Sequence, residues 1–204
     1  MNYLLIAVLG YLIGSIPNGL LIGKNLYNID LRQFGSKNIG ATNAFRTLGL
    51  WPAFLVFLTD AGKGVIAVYL SSFLVATPVA LLVGGIAAVI GHNWSVFLNF
   101  TGGRGVATGL GVIAVLVPQI TAFVFLIWAI IVYITRYVSL ASIVAAVLVP
   151  IFMWFLGERI EFLYFGILAA LFVVGRHKPN IERLLKGTEL KIKMGNMIAD
   201  SRRK

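Results

Sequence analysis

Gly105-Val-Ala-Thr-Gly-Leu-Gly-Val-Ile-Ala-Val-Leu-Val117, then Pro118, then Gln119-Ile-Thr-Ala-Phe-Val-Phe-Leu-Ile-Trp-Ala-Ile-Ile-Val-Tyr-Ile-Thr135 reads as one long apolar span or as two short ones. Proline lacks an N–H and clashes with the preceding turn, so Pro118 is a natural break. Parity decides between the readings. With two spans, the loop 24–49, Arg104, Arg136 and the basic tail fall on one side, and the charged turn Glu158–Glu161 falls on the other. With one span, Arg136 and the tail lie opposite the first loop, and the bias of basic residues to the cytoplasmic side is lost. The two-span reading therefore predicts an all-α integral membrane protein with seven transmembrane helices. Its amino terminus is outside and its carboxyl terminus is cytoplasmic.

Composition supports the membrane class. Of 204 residues, 59% are hydrophobic and 12% charged, with mean hydropathy +0.94; a soluble domain is about one quarter charged. We read the chain as a single domain, 1–204, with spans near 3–23, 50–76, 79–98, 105–117, 119–135, 138–157 and 162–175. The first span contains Gly14-Ser15-Ile16-Pro17-Asn18-Gly19, a break or kink. The fourth, at about 13 residues, covers only about 20 Å and needs shielding by protein or a thinned bilayer. Gly84-Gly85 and Gly109-x-Gly111 suit close helix packing. Asp60 and Lys63, three apart inside an apolar run, are expected to pair, because a lone charge in the membrane is costly.

The net charge of +10 sits in two places. Residues 24–49 carry Lys24, Arg32, Lys37 and Arg46 against Asp30, and residues 176–204 carry nine basic residues against Glu182, Glu189 and Asp200. These cations lack interleaved aromatics, so we expect membrane lipids as partners and no nucleic acid. With no cysteine and two histidines far apart, His92 and His177, no disulfide, thiolate or metal site is expected. We expect no cofactor and a monomer.

Parity brings four polar sets to the cytoplasmic face. The first is Gly35-Ser-Lys-Asn-Ile-Gly-Ala-Thr-Asn-Ala-Phe-Arg46, with Ser36, Thr42, Asn43 and Arg46 as donors. The second is Thr101-Gly102-Gly103-Arg104-Gly105, followed by Thr108. The third is Arg136 with Ser139 and Ser142. The fourth is His177, Lys178, Asn180 and Arg183. Small residues let backbone N–H groups approach a ligand, while hydroxyl, amide and guanidinium groups add donors, which together suit a phosphorylated ligand. Blander roles compete. The glycine-rich stretch can be only a turn, and the arginines can anchor helices at headgroups. The two serines can bond back to their own helix, and Asn180 can cap a helix starting at Ile181. His92 reads as an interfacial residue at a helix end. Two functions fit: an enzyme joining a phosphorylated water-soluble substrate to a lipidic one, or a transporter of a phosphorylated small anion. A transporter places its polar groups near the midplane; here they gather at one surface, which favours the enzyme.

Gly35–Arg46, Gly91-His-Asn with Phe100-Thr-Gly-Gly-Arg-Gly-Val-Ala-Thr108, and Arg176-His-Lys-Pro-Asn-Ile-Glu-Arg-Leu-Leu-Lys-Gly-Thr-Glu189 resemble, in order, the three motif regions of the bacterial acyl-phosphate:glycerol-3-phosphate acyltransferases, the PlsY family. The resemblance covers nearly the whole chain. It implies transfer of an acyl group from long-chain acyl phosphate to the 1-hydroxyl of glycerol 3-phosphate, giving 1-acylglycerol 3-phosphate and phosphate, at the cytoplasmic face of the inner membrane. By position, it implies Ser36, Arg46, His177 and Asn180 as catalytic. Thr42 and Asn43 would line the phosphate pocket, and Gly102, Gly103 and Gly105 would help bind glycerol 3-phosphate. Glu182 would be the more structural acid. Arg104 stands where the family usually has lysine; the charge is kept, but a point charge becomes a planar fork. Arg104 and Ser142 complete the candidate substrate-binding set. Acyl phosphate is already activated, so direct attack by the hydroxyl is expected. Either His177 or a substrate phosphate is the proton acceptor.

Overall fold

The computed structural model describes residues 2–192, so the basic end of the expected tail (Lys193, Arg202, Arg203 and Lys204) lies outside the described residues. The first apolar run forms α1 (Asn2–Ser15) and α2 (Asn18–Tyr27). They part at Ile16-Pro17, as the proline requires. α3 (Ala41–Leu48) is a short helix inside the first polar loop, which the sequence reading left without one. Gly49, at φ +103°, joins it directly to α4 (Leu50–Leu74).

α5 (Pro78–Asn93) starts with Thr77 as its cap, the hydroxyl accepting from the Ala80 N–H at 3.3 Å. It stops short of the expected residue 98, and Ser95 and Thr101 pair across the turn that follows. α6 (Val106–Leu116) and α7 (Pro118–Thr135) are separate helices, with Pro118 in the first turn of the second. α8 (Val138–Phe155), α9 (Ile160–Arg176) and α10 (Lys178–Leu185) complete the order, α9 and α10 meeting at 58°.

The architecture is all-helical. Taken as one run, Asn2–Tyr27 is long and apolar enough to cross a membrane. So are Leu50–Leu74, Pro118–Thr135 and Val138–Phe155, while α5 and α6 are shorter. α1 packs along α5, where Gly14 lets the Ala88 backbone approach and Gly91 sits against Tyr11 and Ser15. Without a hydrophobic drive between helices in lipid, such close backbone contact is what holds a pair together. α6 lies against α4, with Gly111 seated on the Ala61 carbonyl. Gly109, by contrast, has no neighbour that a side chain would meet, so the expected packing pair is one glycine. The main core joins α5, α6, α7, α8 and α9 through Val89, Val112, Ile120, Met153 and Phe165. A second cluster, Leu31, Ala44, Leu48, Ala53 and Val56, seats α3 on α4. Phe73, Tyr133, Trp154 and Phe155 stand exposed on the outer surface, as suits lipid contact.

Candidate active site

The first motif folds around one side chain. Asn43 is buried in α3, and its Oδ1 accepts from the Ser36 N–H at 2.8 Å. Its Nδ2 donates to the carbonyls of Leu31 (2.9 Å), Phe34 (3.1 Å) and Asn38 (2.8 Å). Gly35 takes φ +58° at the tight turn against Asn43, where a β-carbon would strike the amide oxygen. The loop so held presents Ser36, Thr42 and Arg46 to a cavity of about 360 Å³.

Arg46 is buried and donates to the Leu190 carbonyl at 2.6 Å, while its Nε is left without a partner. Burial pushes its pKa down, with Glu189 opposing. Arg104 also lines the cavity, and burial pushes it down to about 10, so it stays charged at neutral pH.

The loop carrying Arg104 is clamped from both sides. The Gly103 N–H donates to the His92 carbonyl at 3.0 Å. Gly102 and Gly103 sit so close to His92 and Asn93 that no side chain fits at either position. From the other side, Arg176 donates to the Gly103 carbonyl (3.0 and 3.2 Å) and to the Gly102 carbonyl (3.2 Å), with its guanidinium 5.4 Å from the Trp94 ring. These two glycines do not line the cavity; Gly105, at φ +76°, does.

His177 stands at the α9–α10 bend, buried, with Nδ1 2.7 Å from the Val173 carbonyl. A carbonyl only accepts, so Nδ1 carries the proton and Nε2 keeps its lone pair. Burial, then the Arg104 charge, lowers the His177 pKa to about 4, which keeps the imidazole neutral at pH 7. Asn180 lies inside α10 rather than at its cap, since the helix starts at Lys178. Its Nδ2 donates to Glu189 Oε1 at 2.8 Å. Ser139 donates to the same oxygen at 2.9 Å, and Arg183 Nε reaches Oε2 at 2.7 Å. Ser142 accepts from Trp128 Nε1 at 3.2 Å, so both serines bond to partners elsewhere rather than to their own helix carbonyls. Glu182, expected to be the structural acid, is exposed; the buried acid of this motif is Glu189.

Ser36, Thr42, Asn43, Arg46, Arg104, Gly105, Ser142 and His177 therefore meet on one cavity, with Asn180 behind its wall. Sequence reasoning missed Glu189, Arg176 and the depth of His92. His92, in the last turn of α5, is buried on the cavity wall, its Nδ1 3.7 Å from Asp60, and the expected Asp60–Lys63 pair forms at 2.9 Å. The only sequence signal for this contact was a polar residue within an apolar run.

From this polar end the cavity continues between apolar walls that include Phe57, Leu110, Ile113, Val124 and Phe125. Cationic donors at one end and an apolar channel at the other make a site suited to an amphiphile with an anionic head.

Fold and site together define a membrane-embedded helical protein that handles a phosphorylated lipidic ligand. The family profile described as glycerol-3-phosphate acyltransferase matches residues 4–187, and the chain belongs to that family. It is 46% identical over 190 residues to glycerol-3-phosphate acyltransferase 2 of Moorella thermoacetica, covering 93% of this chain and 97% of that one. With the glycerol-3-phosphate acyltransferase of Fusobacterium nucleatum it shares 44% identity over 193 residues, covering 95% and 100%. A crystal structure of PlsY (YgiH), an integral membrane glycerol 3-phosphate acyltransferase in its glycerol 3-phosphate form, superposes with TM-score 0.90. The identity is 39%, and the match covers 95% of this chain and 96% of that one. The lysophosphatidic acid form gives TM-score 0.88 at 38% identity, covering 95% and 97%.

Proposed function

We propose that this chain transfers an acyl group from long-chain acyl phosphate to the 1-hydroxyl of glycerol 3-phosphate, releasing 1-acylglycerol 3-phosphate and phosphate. The observation that carries this is the single cavity in which Arg46, Arg104 and His177 open onto an apolar arm. Related structures are described with glycerol 3-phosphate and with lysophosphatidic acid, which are substrate and product of that reaction.

The hydroxyl oxygen attacks the acyl carbonyl carbon. A C–O ester bond forms, the C–O bond to phosphate breaks, and phosphate leaves with the electron pair. Arg46 and Arg104 neutralise the phosphates, with Ser36 and Thr42 as further donors. Neutral His177 offers Nε2 to orient the attacking hydroxyl. A group whose pKa is about 4 is a weak base at neutral pH, so the proton passes to the departing phosphate. Asn43, Gly102 and Gly103 act by positioning Ser36 and Arg104. Asn180 acts by holding Glu189 and, through it, Arg183. Ser142 fixes Trp128 on the acyl wall.

Seven spans, an outer amino terminus and an active site on the cytoplasmic face of the inner membrane complete the reading, with the protein as a monomer. The basic residues flanking the cavity support that orientation. In purified protein, glycerol 3-phosphate-dependent phosphate release from palmitoyl phosphate tests the activity. Uptake of glycerol 3-phosphate into liposomes without such release would point instead to an anion transporter.

A further inference from the structure

The cavity is lined by Gly105, the cap residue just before α6, and within α6 by Val106, Ala107, Gly109, Leu110 and Ile113, of which Gly109 and Ile113, four residues apart, share one face of the helix. Gly105 adjoins Arg104 at the polar end, and Ile113 lies about two turns away, among the apolar residues. Gly109 falls between them, about 6 Å along the axis from Gly105.

Glycine inside a helix costs stability relative to alanine, so its presence calls for a reason. Close packing is the reason for Gly111 and Gly64, whose missing β-carbons would strike backbone of the neighbouring helix. At Gly109 that reason fails. A β-carbon there meets nothing within 4 Å, and the backbone is ordinary α-helix. The space a side chain would fill is the cavity itself.

We infer that Gly109 is a specificity-determining residue: its missing side chain keeps open the bore through which the methylenes of the donor's acyl chain pass from the phosphate site into the apolar arm. The inference rests on the acyl-transfer reading above. It assigns Gly109 to the acyl donor alone, because Arg104, to which the proposed function gives a phosphate, lies beyond Gly105, more than one helical turn away.

Gly62, on α4, provides the control. It too has nothing within 4 Å of a built β-carbon, but it does not line the cavity. The experiment measures phosphate release by Gly109→Ala, Gly109→Leu, Gly62→Ala and Gly62→Leu. Palmitoyl phosphate is varied at saturating glycerol 3-phosphate, and then the reverse; melting temperature is recorded for each protein.

Gly109→Leu is expected to raise KM for palmitoyl phosphate by about tenfold or more, the scale on which an apolar pocket discriminates methylene groups. KM for glycerol 3-phosphate should stay within about twofold of wild type. Gly109→Ala should show the same shift to a smaller degree while melting higher, so that activity and stability move in opposite directions. The Gly62 variants should leave both KM values unchanged. Active wild type with an unchanged palmitoyl phosphate KM in Gly109→Ala and Gly109→Leu overturns the proposal alone. So does a parallel rise in both KM values. Wild type that releases no phosphate overturns the acyl-transfer reading and the proposal with it.

Discussion

Asn180 Nδ2 donates to Glu189 Oε1 over 2.8 Å, tying the second helix of the α9–α10 bend to the strand of chain that follows it. The same carboxylate accepts from Ser139 on α8 and pairs with Arg183. It is the acid whose charge also favours the guanidinium ions of buried Arg46 and half-buried Arg104. Removing it leaves those cations uncompensated.

Glu189→Ala should therefore destabilise the protein by about 1–3 kcal/mol, the usual cost of leaving buried hydrogen-bonding groups without a partner, because Arg183 itself is partly exposed. A melting curve in detergent checks this. Burial opposes ionisation of Glu189, yet bonds from Asn180, Arg183 and Ser139 hold its carboxyl below the ordinary value of 4.5. A depressed carboxyl stabilises the fold fully above its unfolded value and loses that contribution as pH falls through its folded value. Stability should thus drop below about pH 4.5 in wild type, and Glu189→Gln should lack that part of the drop.

Asp60 and Lys63 pair at 2.9 Å inside α4, where Asn18 donates to Asp60 at 3.3 Å and Lys63 donates to the Ile16 carbonyl at 3.1 Å. The pair thus spans the break between α1 and α2. Either Asp60→Asn or Lys63→Met alone should cost about 3–5 kcal/mol, and the double variant should recover much of that loss. Additive losses in a thermal double-mutant cycle would show that the two charges do not stabilise one another.

Arg104 is expected to tolerate lysine better than alanine. Arg104→Lys keeps a charge on the phosphate and should retain most activity. Arg104→Ala should lose about 10²–10³ in kcat, the scale for removing one preorganised donor. Initial rates of phosphate release distinguish the two variants.

Much of this was legible in residue types with local meaning. Pro17 and Pro118 broke helices where proline must. Asp60 and Lys63 stood out as charges in an apolar run, and the order of apolar segments followed from hydropathy. What was hidden depends on contacts distant in sequence. Gly102 and Gly103 read as ligand-binding glycines, yet their small size serves His92 and Asn93 on another element. Glu189 lies nine residues beyond Asn180, past Gly187 at φ +67°, so helical spacing gave no hint that the two would meet. Glu182, on the helix itself, looked the better acid and faces out. α3 was missed because its eight residues, though strongly amphipathic, are shorter than the window of about 11–18 residues over which helical periodicity is read.

His177, neutral with Nδ1 committed to Val173, is expected to orient rather than to take the proton. His177→Gln should keep kcat within about tenfold while raising KM for glycerol 3-phosphate. Because its folded pKa, about 4, lies below the ordinary 6.5, the unfolded chain binds the proton first. Wild-type stability should therefore fall as pH drops from 6.5 towards 4, and His177→Gln should remove that share of the slope. A kcat that collapses in His177→Gln, with KM unmoved, would instead mark it as the base.

The central claim is that Arg46 and its cavity serve acyl transfer from acyl phosphate. The most direct measurement follows phosphate release by purified protein in detergent or lipid mesophase, given palmitoyl phosphate with and without glycerol 3-phosphate. Palmitoyl-CoA serves as a parallel donor, scored by formation of lysophosphatidate. Phosphate release that requires glycerol 3-phosphate, is lost in Arg46→Ala and has no counterpart with palmitoyl-CoA is the predicted result. Equal release by wild type and Arg46→Ala, or lysophosphatidate formed only from palmitoyl-CoA, would contradict it.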